Sequence, residues 1–293
     1  MKCLILGGTG MLGHRLWINL SRKYETWVTV RGAARVFPEH PDFNRSFVLE
    51  HVNALNLNDV IRVIGKIHPD VVINCVGLIK QHASANDPIL ALETNALLPH
   101  RLAALCEASQ ARLIHISTDC VFSGDKGSYT EDDTSDARDL YGRTKFLGET
   151  SYPHTVTLRT SIVGPELHAR YGLLEWFLSQ NQPIKGFQKA IYTGFTTDEL
   201  SRIIIDYVLP TPHLQGLYHV SSTPISKYEL LQLFNQCYDR GLTIEADNDF
   251  KCDRSLLSER FKSITGYMTP TWPEMVASMA EKHASYYSYK GGA

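Results

Sequence analysis

No apolar run in this sequence approaches the roughly 20 residues that span a bilayer, and none of its six cysteines pairs in a CxxC motif. The first absence speaks against a membrane-spanning helix, the second against a disulfide scaffold or redox couple. Twelve histidines show neither HxxxH nor HxH grouping, so no structural metal is expected. With a formal net charge of -2 there is no long-range attraction for nucleic acid or an acidic membrane, and an anionic ligand has to be met by a local group of cations. Neither a low-complexity tract nor a repeat of solenoid period interrupts the chain. The opening Met1-Lys2-Cys3-Leu4-Ile5-Leu6 meets glycine at once, without the apolar segment of a signal peptide. These features point to a cytoplasmic protein with reduced, mostly buried thiols.

What is present is an alternation of short β-branched runs with longer helical patterns, the signature of βαβ units and a parallel sheet covered on both faces. Strands are expected at Lys2 to Leu6, Thr26 to Val30, Phe47 to Val52, Val71 to Val76, Arg112 to Ser117 and Val156 to Arg159, with Leu217 to Val220 a late addition. That rhythm predicts an α/β fold with a doubly wound, dinucleotide-binding parallel sheet of the Rossmann type. Asp87-Pro88 predicts a helix start, with Asp as cap and Pro in the first turn, running to about Ala108. Leu140 to Glu149 reads as the next helix, and Ser226-x-x-Glu229 as a capping box opening another to about Cys237. Beyond Gly164 the alternation fails. The expected division is a dinucleotide-binding domain over 1–163 with a return segment at about 188–222, and a smaller, discontinuous substrate lobe from 164–187 and 223–293. The segment Leu173 to Gln180 is expected to be helical, with Leu173 to Leu178 suited to a core helix, a sugar-base pocket or a contact between copies, which leaves a homo-oligomer open. The tail from Ser285 is expected to fray.

Gly7-Gly8-Thr9-Gly10-Met11-Leu12-Gly13 follows the first strand and precedes a helix, the context in which a glycine turn binds a pyrophosphate. Side chains at Gly8 or Gly10 would block backbone approach, and Gly13 lets helix and strand pack closely. A tight turn without ligand is the other reading. Gly7, Gly10, Met11, Leu12 and Gly13 are therefore cofactor candidates. The second strand ends in Arg31 where an NAD site carries an acidic residue. A guanidinium suits a 2′-phosphate, with Arg35 near enough to assist, so NADP(H) is preferred over NAD(H); two solvated loop arginines are the alternative. Asn53 is placed to reach the adenine edge, or is an ordinary polar loop residue. Cys75, Val76 and Gly77 end the fourth strand where such folds pass the backbone close to a cofactor, a simple strand-end turn being the other reading. Asn95, an unfavourable residue inside a helix, is a candidate bridge to the sheet near the site.

Ser117-Thr118-Asp119 ends the fifth strand, at the sheet edge where such folds bind ligands. Tyr141 and Lys145 lie four apart on the following helix and so share a face. A cation beside a phenol favours phenolate and would lower its pKa toward working pH. The chemistry these residues suit is proton donation by Tyr141 to an alkoxide made by hydride transfer, with the Thr118 hydroxyl on the same oxygen.

The stretches Ser117-Thr118-Asp119-Cys120-Val121-Phe122-Ser123-Gly124, Tyr129-Thr130-Glu131-Asp132 and Tyr141-Gly142-Arg143-Thr144-Lys145-Phe146-Leu147-Gly148-Glu149 closely resemble the dTDP-4-dehydrorhamnose reductase family of extended short-chain dehydrogenases. The resemblance implies catalytic Thr118, Tyr141 and Lys145, a nicotinamide ribose held by Tyr141 and Lys145, and a nucleotide-linked 4-keto-6-deoxy sugar as substrate. Where the family has Tyr after Ser-Thr-Asp this chain has Cys120, so Asp119 and Cys120 are candidate substrate contacts. Lys185, Lys189 and Arg254 are candidates for the substrate diphosphate. A 4,6-dehydratase of the same fold needs a Glu where Cys120 stands. An epimerase would favour tightly held NAD, against Arg31. A non-catalytic regulatory subunit, such as that of methionine adenosyltransferase, resembles the same family and is the remaining alternative.

Overall fold

The computed structural model describes residues 1–80, 85–168 and 170–287. β1 (Lys2–Leu6) runs into α1 (Met11–Leu20), then β2 (Glu25–Thr29) and β3 (Val48–Leu49); α2 (Leu57–Ile67) leads to β4 (Val71–Asn74). A broken helix, α3 (Pro88–Ala91) and α4 (Leu98–Ala108), precedes β5 (Arg112–Thr118), and α5 (Leu140–Leu147) precedes β6 (Thr155–Thr160). After β7 (Ile162–Val163), α6 (Leu173–Leu178), β8 (Ile184–Tyr192), β9 (Phe195–Thr196) and α7 (Thr197–Ile203), β10 (Gly216–His219) returns to the edge of the first sheet. β11 (Ile225–Ser226), α8 (Lys227–Cys237), β12 (Ile244–Asp253), α9 (Glu259–Thr265) and α10 (Trp272–Tyr287) complete the chain.

The main sheet has the order β10-β6-β5-β4-β1-β2-β3, and every pairing in it is parallel. β1 and β4, at its centre, read as short apolar runs because both faces are covered. Alternate residues of β1 show this: Cys3 and Ile5 enter the core under α1, while Leu4 and Leu6 enter a second core with α2 and α4. This is the Rossmann-type architecture expected from the alternation. A second sheet, β11-β8-β12, packs against α8, and its buried Ile184, Tyr192, Ile225 and Ile244 belong to the same apolar core as α1 and α6. β8 lies wholly in that sheet, so the chain turns back toward the main sheet after Tyr192 rather than at about 188. Among the described residues no helix is long and apolar enough to cross a membrane.

Several elements differ from expectation for local reasons. The third strand shrinks because Asn44 accepts the Ser46 N–H at 3.2 Å and starts a 3-10 turn over Arg45–Phe47, and the chain leaves at His51 with φ of 55°. β4 ends at Asn74, whose Oδ1 accepts the Val76 N–H at 3.1 Å and turns the chain out of the sheet. The helix expected from Pro88 to Ala108 is interrupted by a wide π turn at Leu92–Leu97. Pro99 explains it: without an N–H it cannot bond the Asn95 carbonyl, and the turn before it widens. The capping box forms as expected, with the Ser226 N–H donating to Glu229 at 3.0 Å and the Glu229 N–H to Ser226 Oγ at 3.1 Å. Leu174 and Phe177 are fully buried, which makes α6 a core helix. The tail is helical as far as Tyr287, and 288–293 lie outside the described residues.

Candidate functional site

Gly10 caps α1 without a side chain, so the leading N–H groups of Met11, Leu12 and Gly13 receive no capping bond. A Cβ on Gly10 would meet only Gly7 O, at 3.4 Å, which leaves the space above the turn open. Gly8 departs from expectation: its Cβ would fall 1.9 Å from Val28 Cγ2, so β2 rather than a ligand excludes a side chain there. At Gly13 the Cβ would lie 2.1 Å from Gly7 O, the close packing expected of it. Leu12 points its side chain into the core, leaving only its backbone toward the turn. Beneath it, His14 Nδ1 bonds Gly10 O at 2.8 Å, and burial lowers the ring to about 4, so it is neutral. Gly7 backs directly onto the chain leaving β4, since its Cβ would sit 3.1 Å from the Cys75 carbonyl and from Val76 Cγ2. Turn and strand end thus form adjoining walls, with Gly77 exposed at the rim. These residues fit a dinucleotide: open space, uncapped donors and no acidic side chain in the turn.

Arg31 and Arg35 lie exposed beyond β2 and make no ion pair among the described residues. Asn53 is committed locally: its Oδ1 accepts the Leu55 N–H at 3.1 Å and its own N–H donates to Asp59 at 3.0 Å, which leaves only its carboxamide NH2.

Thr118 closes β5 and its Oγ1 accepts the Cys120 N–H at 3.1 Å, fixing the turn that follows. Asp139 caps α5, accepting the Gly142 N–H at 2.8 Å. A Cβ on Gly142 would fall 2.2 Å from Cys120 O, so the helix lies hard against the turn and sets Tyr141 beside Thr118 and Cys120. Burial pushes the Tyr141 phenol above its ordinary range; Cys120, Asp119 and Asp139 add to this, while a hydrogen bond with Thr118 opposes it. Lys145 is buried, and its Nζ donates to Ile116 O at 2.7 Å. Burial pulls that ammonium down to about 8, against Glu149 and Cys75. The expectation that Lys145 draws the phenol down is therefore not met. The lysine is engaged by a strand carbonyl, and Tyr141 stays protonated at neutral pH.

Arg254 reaches this edge from far along the chain. Phe122 stacks on Tyr129 at 4.1 Å, and the Tyr129 N–H bonds Ser255 O at 2.8 Å, which clamps the two segments together. The guanidinium then donates to Phe122 O at 2.8 Å and meets Cys120 Sγ at 3.7 Å. Burial pushes the Cys120 thiol up to about 12, so no thiolate stands there. Burial also raises Asp119, against Arg254 and Lys227. Lys185 is not brought to this edge. It pairs with Asp247 at 3.6 Å, and at about 3.3 Å per residue along β8 it lies roughly 23 Å from Tyr192, the strand end beside Asp119 and Cys120. Lys189 is bonded to Asn248 O at 3.0 Å.

Asn95 bridges elements as expected, although its partners are a loop and a helix rather than the sheet. Its Oδ1 accepts the Leu78 N–H at 2.8 Å and its Nδ2 reaches Thr144 Oγ1 at 3.3 Å, tying the chain after β4 to α5. Behind Lys145, Arg159 and Glu149 form a buried bidentate pair at 2.7 and 2.6 Å, and Ser117 Oγ adds a bond to Glu149 at 2.7 Å. Lys80, Asp139, Glu149 and Lys227 were not singled out by the sequence. Asp139 had a readable signal, an Asp just before the helix; the others are ordinary charged residues until the fold brings them together.

A parallel sheet, a glycine turn and a Thr, Tyr and Lys set at its carboxyl edge define an extended short-chain dehydrogenase. The chain belongs to the family described as RmlD substrate binding domain, whose model matches residues 1–284. It is 34% identical over 149 residues to dTDP-4-dehydrorhamnose reductase of Streptomyces griseus, an alignment covering 50% of this chain and 43% of that one. Over the same length it is 32% identical to methionine adenosyltransferase 2 subunit beta of Bos taurus, covering 50% and 41%. The match therefore spans less than half the length of either relative. The dTDP-4-dehydrorhamnose reductase of Bacillus anthracis, solved in complex with NADP, superposes with a TM-score of 0.78 at 19% identity, covering 96% of this chain and 99% of that one.

Proposed function

We propose that the chain reduces the keto group of a nucleotide-linked 4-keto-6-deoxy sugar with NADPH. The observation that carries this reading is the meeting of Thr118 and Tyr141 at the carboxyl end of β5, on the sheet edge that also holds the glycine turn. When bound, the nicotinamide supplies a hydride to the carbonyl carbon. Tyr141 gives its proton to the developing alkoxide, and the upward displacement of its pKa keeps it in the form a donor needs. The Thr118 hydroxyl holds the same oxygen. Lys145 holds the ribose hydroxyls, and the backbone at Cys75, Val76 and Gly77 lines the cofactor. Arg254, beside Asp119 and Cys120, meets the substrate diphosphate, and the smaller lobe, which holds β8, α8 and β12, covers the sugar. A protonated thiol at Cys120 cannot remove a proton from C5, which argues against a dehydratase.

The test is a panel of UDP-, dTDP- and GDP-linked 4-keto sugars with NADPH and with NADH, followed by absorbance of the reduced nicotinamide. One sugar nucleotide should oxidise NADPH faster than the rest. Arg31→Asp is expected to shift preference toward NADH by roughly tenfold or more, the loss of a charge-assisted bond to the 2′-phosphate; an unchanged ratio would remove Arg31 from cofactor choice. The likeness to methionine adenosyltransferase 2 subunit beta favours a second reading, a nucleotide-binding partner subunit without turnover. NADPH binding with no sugar reduced anywhere in the panel would decide for it.

A further inference from the structure

Lys80 stands on the chain leaving β4, and its Nζ lies 2.7 Å from Asp139 Oδ2 and 5.5 Å from the centroid of the Tyr141 ring. A lysine on an exposed loop normally extends its ammonium into water. This one turns back over an aromatic face and is held there by the carboxylate that also caps the helix carrying that aromatic. The arrangement matters because Tyr141 is otherwise faced by carboxyl groups that resist loss of its proton: Asp119 from the turn after β5, and Asp139 at the start of its own helix. Thr118 offers only a hydroxyl, and the Lys145 ammonium is engaged by Ile116 O at 2.7 Å. A cation over a ring face is attracted to its π electrons, and more strongly once the phenol carries negative charge.

On the reading that Tyr141 is the proton donor, we propose that Lys80 is its positioning residue: the ammonium, anchored by Asp139, holds the ring in place and eases departure of the phenolic proton. Lys80 acts through Tyr141 and need not touch the substrate.

The experiment places 2,3,5-trifluorotyrosine at position 141 of the full chain, so that the phenol ionises where the folded protein can be titrated, and follows it by 19F NMR without substrate. Against that background Lys80→Met should raise the midpoint by about one pH unit, the size expected for removing a cation at this range, while Lys80→Arg stays close to the parent. Circular dichroism confirms that each variant is folded. An unmoved midpoint in Lys80→Met overturns the proposal, as does a Lys80→Arg midpoint displaced as far as that of Lys80→Met. In the natural chain Lys80→Met should lower kcat more than it raises KM, with rescue by Lys80→Arg. Because the titration needs no turnover, it judges Lys80 even if Tyr141→Phe proves fully active, an outcome that would instead remove Tyr141 as donor.

Discussion

Tyr141→Phe is expected to lose about 10²- to 10⁴-fold in kcat while still binding NADPH, the range typical for deletion of a general acid. The phenol lies half-buried beside Thr118 and Cys120, on a helix fixed by Asp139 and by the contact at Gly142. Phenylalanine fills the same space, so the helix and the cradle at Gly10 to Gly13 should stand unchanged. What disappears is the proton. Thr118 would still bond the oxygen, but an aliphatic hydroxyl is a poor proton donor in place of a phenol. Steady-state absorbance with the best sugar of the panel gives the loss, and fluorescence titration gives cofactor affinity. Full activity would dismiss the donor role.

Glu149→Ala should cost about 3–5 kcal/mol of stability, the penalty of leaving a buried charge without its partner. Arg159 and Glu149 have side-chain exposures of only 3% and 9%, and the guanidinium would keep no carboxylate among the described residues, only His219 at 3.2 Å and the Phe122 ring at 5.2 Å. Denaturant unfolding at pH 7 measures it, and a loss below about 1 kcal/mol would mean that water or a rearrangement satisfies Arg159. The same substitution acts on Lys145, which burial holds at about 8 against the opposing effect of Glu149. Between pH 8 and the ordinary lysine value of 10.5, the folded state has released a proton that the unfolded state keeps, so Lys145 makes stability rise with pH across that window. Without Glu149 the lower end of the window moves to lower pH. If the charged lysine binds cofactor, kcat/KM of the natural chain falls above about pH 8, and Glu149→Ala brings that fall to lower pH.

Much of the fold was legible because its signals are local. Short β-branched runs alternating with helical patterns mark the strands of a parallel sheet, Ser226 and Glu229 cap each other within one turn, and the place of Gly13 between strand and helix follows from chain order. The short β3 and the early end of β4 were not legible, since the competing bonds from Asn44 and Asn74 are as strong as the ladder bonds they replace. Pro99 could have announced the break before α4, for it removes a donor whatever the context.

The sequence by itself determined the class of sheet, the position of the glycine turn and the placing of Tyr141 and Lys145 on one helical face. Tertiary structure alone decided what those two side chains meet. Lys145 is drawn to the Ile116 carbonyl, Lys80 comes over the Tyr141 ring from the chain after β4, and Arg254 arrives beside Cys120 through the Phe122–Tyr129 stack. Periodicity and spacing describe neighbours within a turn or two. The field around a phenol is made by groups far apart in the chain, and only the closed fold sets their distances.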